Sequence, residues 1–180
     1  MIAAPDDLCL QGEHVRLRPL RPGDAEAMFA YARDAEVTRF LPWEPAPSVE
    51  SVRPFLAEQV ARRRRGEALA LAIVLQETGQ MIGSTDLMDI HRPLRGRAEL
   101  GYLLARPFWG RGLMTEAAGL TAAHGFGALG LERIVAWADE ENVGSRRVLE
   151  KIGMRVHGSE IRTVKKQQRR YIRYEMGKAS

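Results

Sequence analysis

The stretch RPFWGRGLMTEAAGL, residues 106–120, places two glycines around an arginine, between a bulky aromatic residue and a helix-forming run. Gly110 and Gly112 allow a sharp turn and a close approach to a ligand, since neither carries a Cβ atom. A glycine turn that opens a helix directs free backbone N–H groups and the positive end of the helix dipole to one point. The stretch therefore predicts an anion site, with a plain turn as the open alternative. It is neither a Walker loop nor a dinucleotide fingerprint, because the Gly-Lys-Ser/Thr run and the third glycine are missing.

Length and composition favour one globular domain over residues 1–180. Hydrophobic residues make up 45% and charged residues 28% of the 180 positions, which argues against disordered and membrane-spanning classes. The N-terminus MIAAPDDLCL carries acids where a signal peptide needs bases, so a cytoplasmic location is expected. One cysteine, Cys9, and four histidines show no metal-ligand spacing, and no metal is expected.

The net charge of +4 is concentrated in ARRRRG, residues 61–66, and in RTVKKQQRRYIRY, residues 162–174. This mild excess suits any anionic ligand, and a charge run is most often a solvated face. Nucleic-acid binding is therefore an unfavoured but open interpretation.

Upstream of the glycine stretch, the pattern predicts two strand-forming regions separated by helices. Alternation in HVRLRPL, residues 14–20, indicates a first strand, and Asp24 is the expected N-cap of the helix that follows. Ser51 is the expected cap of a second helix, with Pro54 in its first turn. Two apolar runs around Thr78-Gly79 then indicate a hairpin.

Downstream, the pattern continues with alternating elements. Residues 98–105 read as a third strand of the same sheet, followed by a helix that runs from Met114 to about Gly130. A buried strand at residues 132–139, a short helix between Asn142 as cap and Gly153 as terminator, and a closing strand at 169–176 complete the chain. The order predicts an α+β protein with a mixed, mostly antiparallel sheet flanked by helices on both faces.

Two segments together carry a family resemblance. AELGYLLARPFWGRGLMTEA, residues 98–117, followed by LERIVAWADEENVGSRRVLEKIGM, residues 131–154, resembles the GNAT superfamily of N-acetyltransferases. Within it, the sequence is most similar to the RimJ/RimL branch of ribosomal-protein N-terminal acetyltransferases, and the match is dense over residues 98–154. The resemblance implies the GNAT fold, acetyl-CoA as co-substrate, and acetyl transfer to a primary amine.

The resemblance also implies which residues bind acetyl-CoA. Backbone N–H groups of the glycine stretch would hold the pyrophosphate, namely those of Arg111, Gly112, Leu113 and Met114. Thr115 would stand at the start of the helix. Two positions depart from the family pattern. Trp109 replaces a glutamine or arginine, and Met114 replaces a small residue, so Met114 is expected to crowd the close approach and weaken CoA binding.

Acetyl transfer needs a base for the amine and a donor that polarises the thioester carbonyl. Glu99 lies on the same side of its strand as Gly101, and the family places a functional glutamate on this strand, so Glu99 is the candidate base. An exposed carboxylate paired with Arg97 or with a neighbouring strand is the open alternative. The family further implies a backbone N–H near Leu103 or Leu104 as the carbonyl donor.

The departing thiolate needs a proton, and many relatives supply it from a tyrosine where this chain has Leu149. The resemblance assigns this role to Ser145 and a polar contact with the pantetheine arm to Asn142. A simple helix cap and a surface serine are the open alternatives for these two residues.

These expectations define an N-acetyltransferase whose acceptor is a protein α-amine or a small-molecule amine. An α-amine, with a pKa of about 8, loses its proton more easily than a lysine at about 10.4, which modestly favours a protein N-terminus. The runner-up is a non-catalytic acyl-CoA-binding module with the same fold. A homodimer is compatible with the expected sheet edge.

Overall fold

The computed structural model describes residues 4–91 and 96–178, whose strands form one sheet of eight in the order β1-β2-β3-β4-β5-β6-β8-β7. The strands are β1 Leu10–Gln11, β2 Val15–Pro19, β3 Leu69–Leu75, β4 Met81–His91, β5 Arg97–Leu104, β6 Arg133–Asp139, β7 Arg155–Val164 and β8 Gln167–Gly177. The α-helices are α1 Ala25–Ala32, α2 Ala35–Thr38, α3 Val49–Arg65, α4 Leu113–Gly127 and α5 Val143–Lys151. No helix in these two ranges combines the length and hydropathy that a membrane span requires.

The sheet is antiparallel at every pairing except that of β5 with β6. Helices cover both faces, with α1 and α3 on one side and α4 and α5 on the other. The predicted α+β class, the mostly antiparallel sheet and the two helical layers are thereby confirmed.

Strand β3 explains why two helical layers form. All seven of its residues are buried, and alternation directs its large and small side chains to opposite faces. Leu69, Leu71 and Ile73 join the core under α4, whereas Ala70 and Ala72 join the core under α1 and α3. The small alanines allow α1 and α3 to approach the sheet closely.

Helix α4 begins at the glycine stretch, as predicted, but ends at Gly127 rather than near Gly130. Two carbonyls of the last turn are satisfied there, since Ala128 N and Leu129 N both donate to His124 O and Leu131 N donates to Gly125 O. Gly125 fits inside the helix because a Cβ atom at this position would lie 3.0 Å from side-chain carbons of Leu131 and Leu87. Its cost in helix propensity is offset by close packing on the sheet.

The predicted start of α3 is wrong by three residues. Ser48, not Ser51, is the N-cap, and its Oγ accepts a hydrogen bond from Ser51 N at 3.3 Å. The earlier start brings Val49 against the core under α1 and α3, which residue patterns alone do not reveal. Pro54 therefore lies in the second turn instead of the first.

Strand β7 was not predicted. Almost all of its residues are exposed, so the strand lacks the alternation of apolar and polar residues that identifies a half-buried strand. Its pairing with β8 along the hairpin at Val164–Gln167 defines it instead, and Lys165 and Lys166 turn the hairpin with positive φ.

Glu116, in the first turn of α4, ties this helix to the loop between β1 and β2. Its Oε1 accepts hydrogen bonds from His14 N at 2.9 Å and Val15 N at 3.2 Å, and its Oε2 lies 3.1 Å from His14 Nδ1. A Cβ atom at Gly12 would overlap this carboxylate, so the loop wraps it closely. Burial opposes ionisation, but the hydrogen bonds prevail and lower the pKa of Glu116.

We expect Glu116→Ala to destabilise the fold by about 2 kcal/mol near neutral pH, because backbone N–H groups lose a charged acceptor. A carboxylate with a lowered pKa contributes stability above its ordinary pKa of 4.5, and this contribution is lost as the pH falls through the folded-state value. Urea unfolding should therefore give a lower free energy of unfolding for the variant than for wild type at neutral pH. The difference between the two free energies should become smaller in acid. Glu77→Ala, in the exposed turn after β3, is the control, and an equal loss in both variants would contradict the prediction.

Candidate active site

The site is built where β5 and β6 separate. Their parallel pairing covers three pairs only and ends at Glu99 and Val135. Beyond this point β5 continues along β4 to Leu104, while β6 continues along β8 to Asp139. A wedge therefore opens between the two strands, with the N-terminal ends of α4 and α5 following the strand ends.

The predicted glycine cradle lies at the N-terminus of α4. Gly110 and Gly112 have φ values of 74° and 79°, in the left-handed region that glycine adopts without a steric penalty. A Cβ atom at either position would meet nothing within 4 Å, so open space lies over the loop. The backbone hydrogen bonds of α4 begin with Glu116, which donates to Gly112 O. The preceding N–H groups, through Leu113 to Thr115, are thus directed to one point at a helix N-terminus.

Met114 does not crowd this cradle. Its side chain is 7% exposed and packs in the core under α4, so the expectation that it weakens the close approach is wrong for a geometric reason. Trp109, the other departure from the family pattern, is fixed by a hydrogen bond: its Nε1 donates to Leu104 O at 2.7 Å. This hydrogen bond ties the glycine loop to the end of β5.

The end of β5 presents one of the two predicted carbonyl donors to the wedge. Ala105 N donates to Ile82 O, so alternate residues of β5 direct their backbone groups to β4, Leu103 among them. A Cβ atom at Gly83 would overlap Leu103 O, which places that carbonyl on the β4 side. The backbone of Leu104 is directed away from β4, and its N–H therefore faces the wedge. The structure brings Leu104, and not Leu103, to the candidate site.

Ser145 lies in the first turn of α5, across the wedge from β5. Asn142 caps this helix, with its Oδ1 accepting from Ser145 N at 3.1 Å, which leaves the amide nitrogen of Asn142 for another partner. The phenol oxygen of Tyr102, on β5, lies 3.0 Å from Ser145 Oγ and 3.1 Å from Ser145 O. Tyr102 therefore fixes Ser145 against β5. Burial raises the pKa of Tyr102, so the phenol stays protonated and acts as a donor.

Sequence reasoning missed Tyr102, because the expected tyrosine position belongs to α5 and is occupied there by the buried Leu149. Only the approach of β5 to α5 shows that a phenol reaches the same serine from another element.

Glu99 lies at the point where the strands separate, on the sheet face that α1 and α3 cover. Burial raises the pKa of its carboxyl, while Arg162 on β7 opposes this effect. The alternative of a simple pair with Arg97 does not appear among the ion pairs of the described residues.

A second acid, Asp86 on β4, was also missed. It is the register partner of Gly101, and Met88, two residues on, is the partner of Glu99, so both acids belong to one face. Burial and the charge of Glu99 raise the pKa of Asp86 to about 7. The sequence offered no signal for this, since Asp86 sits in a strand that reads as sheet core.

Comparisons with known proteins agree with this architecture. The family model of the acetyltransferase (GNAT) domain matches residues 14–155. An uncharacterized N-acetyltransferase of Bacillus licheniformis, p20, is 32% identical over 149 residues, covering 83% of each chain. Spermidine N(1)-acetyltransferase of Escherichia coli K12 is 26% identical over 144 residues, covering 80% of this chain and 74% of the relative. The structure of Mycobacterium smegmatis RimJ in complex with CoA-disulfide superposes with a TM-score of 0.79 and 28% identity, covering 91% and 82% of the two chains.

The chain therefore belongs to the acetyltransferase (GNAT) family and is an acyltransferase of the N-acetyltransferase class. The resemblance to the RimJ/RimL branch is supported by the RimJ structure.

The glycine cradle can be tested by anion binding, without an assay of enzymatic activity. Pyrophosphate added to ¹⁵N-labelled protein should shift the amide resonances of residues 111–115, because their N–H groups converge at a helix N-terminus. Shifts centred instead on Arg62–Arg65, the basic end of α3, would show that charge alone recruits the anion and would contradict the prediction.

Proposed function

We propose that this chain is an acetyl-CoA-dependent N-acetyltransferase that acetylates a primary amine by direct attack within a ternary complex. The observation that carries the proposal is the wedge between β5 and β6, which has a glycine cradle at one end and a partly buried carboxylate at its apex. The single cysteine, Cys9, is exposed and lies in the segment before β1, so a covalent acyl-cysteine step has no nucleophile at the wedge.

In this proposal, the N–H groups of Arg111, Gly112, Leu113 and Met114 bind the pyrophosphate of acetyl-CoA, and Thr115 stands at the helix start. The N–H of Leu104 polarises the thioester carbonyl, a role that needs only a positioned backbone donor. Glu99 accepts a proton from the attacking amine. Asn142 contacts the pantetheine arm through the amide nitrogen that helix capping does not use.

Ser145 donates a hydrogen bond to the departing thiolate, directly or through water, and the thiolate takes up its proton from solvent. The Ser145 hydroxyl is held by Tyr102, a phenol that comes from β5 and not from α5. Because the phenol stays protonated, Tyr102 acts as a positioning residue, and the serine hydroxyl is the group that faces the sulfur.

The acceptor is a primary amine, and two classes are proposed. The resemblance of residues 98–117 and 131–154 to the RimJ/RimL branch supports a protein N-terminal amine, and the spermidine N(1)-acetyltransferase relative supports a polyamine. The lower pKa of an α-amine, about 8, favours the protein N-terminus for a site that relies on carboxylate bases.

Calorimetric titration tests the cradle. Gly112→Trp should weaken acetyl-CoA binding by at least about tenfold, because an indole would fill the space over the loop. Gly79→Trp is a matched control: Gly79 has a φ of 72° in the turn after β3, and its Cβ would also meet nothing within 4 Å. Its affinity should match that of wild type, and ATP should not imitate acetyl-CoA. Equal losses in both variants would contradict the cradle.

Steady-state kinetics tests the chemistry. We expect Glu99→Gln to lower kcat by about 10²-fold, the usual effect of losing a general base, and Ser145→Ala by about tenfold. Tyr102→Phe should resemble Ser145→Ala and add little to it, since both remove one hydrogen-bonded unit. Glu77→Gln is the control for loss of an exposed carboxylate. Tight acetyl-CoA binding without turnover of any amine would instead favour the non-catalytic acyl-CoA-binding module.

A further inference from the structure

The Asp86 carboxylate lies over Gly101 of β5 because residue 101 carries no side chain. A Cβ atom at Gly101 would overlap Asp86 Oδ1 and would lie 3.0 Å from Met88 Cε, so the missing side chain is what allows these two groups to cover β5. Gly101 is two residues beyond Glu99, where β5 has already left β6. The Asp86 carboxylate therefore lies over the part of β5 that borders the wedge.

The surroundings of Asp86 combine a low-dielectric site with one nearby like charge. Tyr31 of α1 covers the same face and donates to Ser84 at 3.3 Å, two residues before Asp86. Charged groups reach Asp86 from both sides, Glu99 on β5 raising its pKa and Arg62 on α3 lowering it. Further groups act on Glu99 in turn, namely Arg97, Asp89, Glu160 and Arg162. The residue Asp86 as a whole is half-buried.

Acetylation of an ammonium ion removes two protons from nitrogen. One must leave before attack to free the lone pair, and the second leaves after the C–N bond forms, as the C–S bond breaks and the thiolate takes up a proton. A carboxylate with a pKa near the working pH is the best acceptor for the first of these transfers, because the step from an ammonium with a pKa of about 8 to 10 is then least uphill.

We infer that Asp86 is a second catalytic carboxylate, which accepts the proton that the acceptor ammonium loses before attack, while Glu99 receives the proton released after the C–N bond forms. This inference rests on the proposed acetyltransferase function and deepens it. The negative charge of Glu99 contributes to this role, because it makes Asp86 a stronger base than an isolated aspartate.

The experiment compares pH profiles of kcat/KM for wild type, Asp86→Asn, Gly101→Ala and Asp7→Asn. CoA release is followed from roughly pH 5.5 to 9.5, a range that brackets the expected pKa, with spermidine and a short peptide with a free N-terminus as probes. Comparison at each pH with the same probe cancels the amine's own ionisation. Asp7→Asn is the matched control, because it makes the same change at an exposed aspartate in the segment before β1.

Wild-type kcat/KM should fall below about pH 7 as Asp86 becomes protonated. Asp86→Asn should lose this decline in acid, and its kcat/KM should be about 10²-fold lower than that of wild type. Gly101→Ala should lower kcat/KM about tenfold, because the new Cβ atom displaces the Asp86 carboxylate. Asp7→Asn should keep the wild-type rate and its decline in acid. Every variant should keep the wild-type acetyl-CoA affinity, which shows that it is folded.

An Asp86→Asn variant whose kcat/KM still falls below about pH 7, and stays within about threefold of wild type, would overturn this inference but not the proposed function. A wild-type protein that binds acetyl-CoA but acetylates no amine would overturn the proposed function, and this inference with it.

Discussion

The divergence of β5 and β6 is the constraint on which the rest of the structure depends. Two parallel strands that pair over three residues and then separate leave the backbone of one strand facing open space inside a sheet. Backbone groups that lose their strand partner in such a place need another partner, and the two backbone groups of Leu104 differ in this respect. Its carbonyl is satisfied by the indole of Trp109, and its N–H remains directed to the wedge. Each strand stays rigid through its other neighbour, β4 for β5 and β8 for β6.

The two faces of the wedge have different chemistry because a strand alternates its side chains. Tyr102 points to the face that α4 and α5 cover and meets Ser145 there, whereas Glu99 and Asp86 belong to the face under α1 and α3. In the proposed mechanism, the donors for the leaving group and the acceptors for the incoming amine are thus kept apart by the thickness of one strand. The same separation keeps the acids partly buried, which raises the pKa of both carboxyls.

Much of the fold was readable from local pattern. Strands β2 to β6 and β8 show strong periodicity or continuous apolar runs, and the N-cap at Asn142 has a direct local signature. The start of α3 and strand β7 were not readable, because burial of Val49 in one case and pairing with β8 in the other decide them. In the site, Glu99, Gly112 and Ser145 follow from motif positions, whereas Tyr102 and Asp86 come from elements that no motif connects.

By itself, the sequence determined where the chain turns, which residues carry the family pattern and that Gly110 and Gly112 must open a helix. Glycine at positions with positive φ is a local requirement, so it can be read locally. The tertiary structure alone decided that Met114 points into the core, that the N–H of Leu104 faces the wedge while that of Leu103 does not, and that the Asp86 carboxylate lies over Gly101. These outcomes depend on strand register and on which neighbour occupies each face, and residues distant in sequence set both.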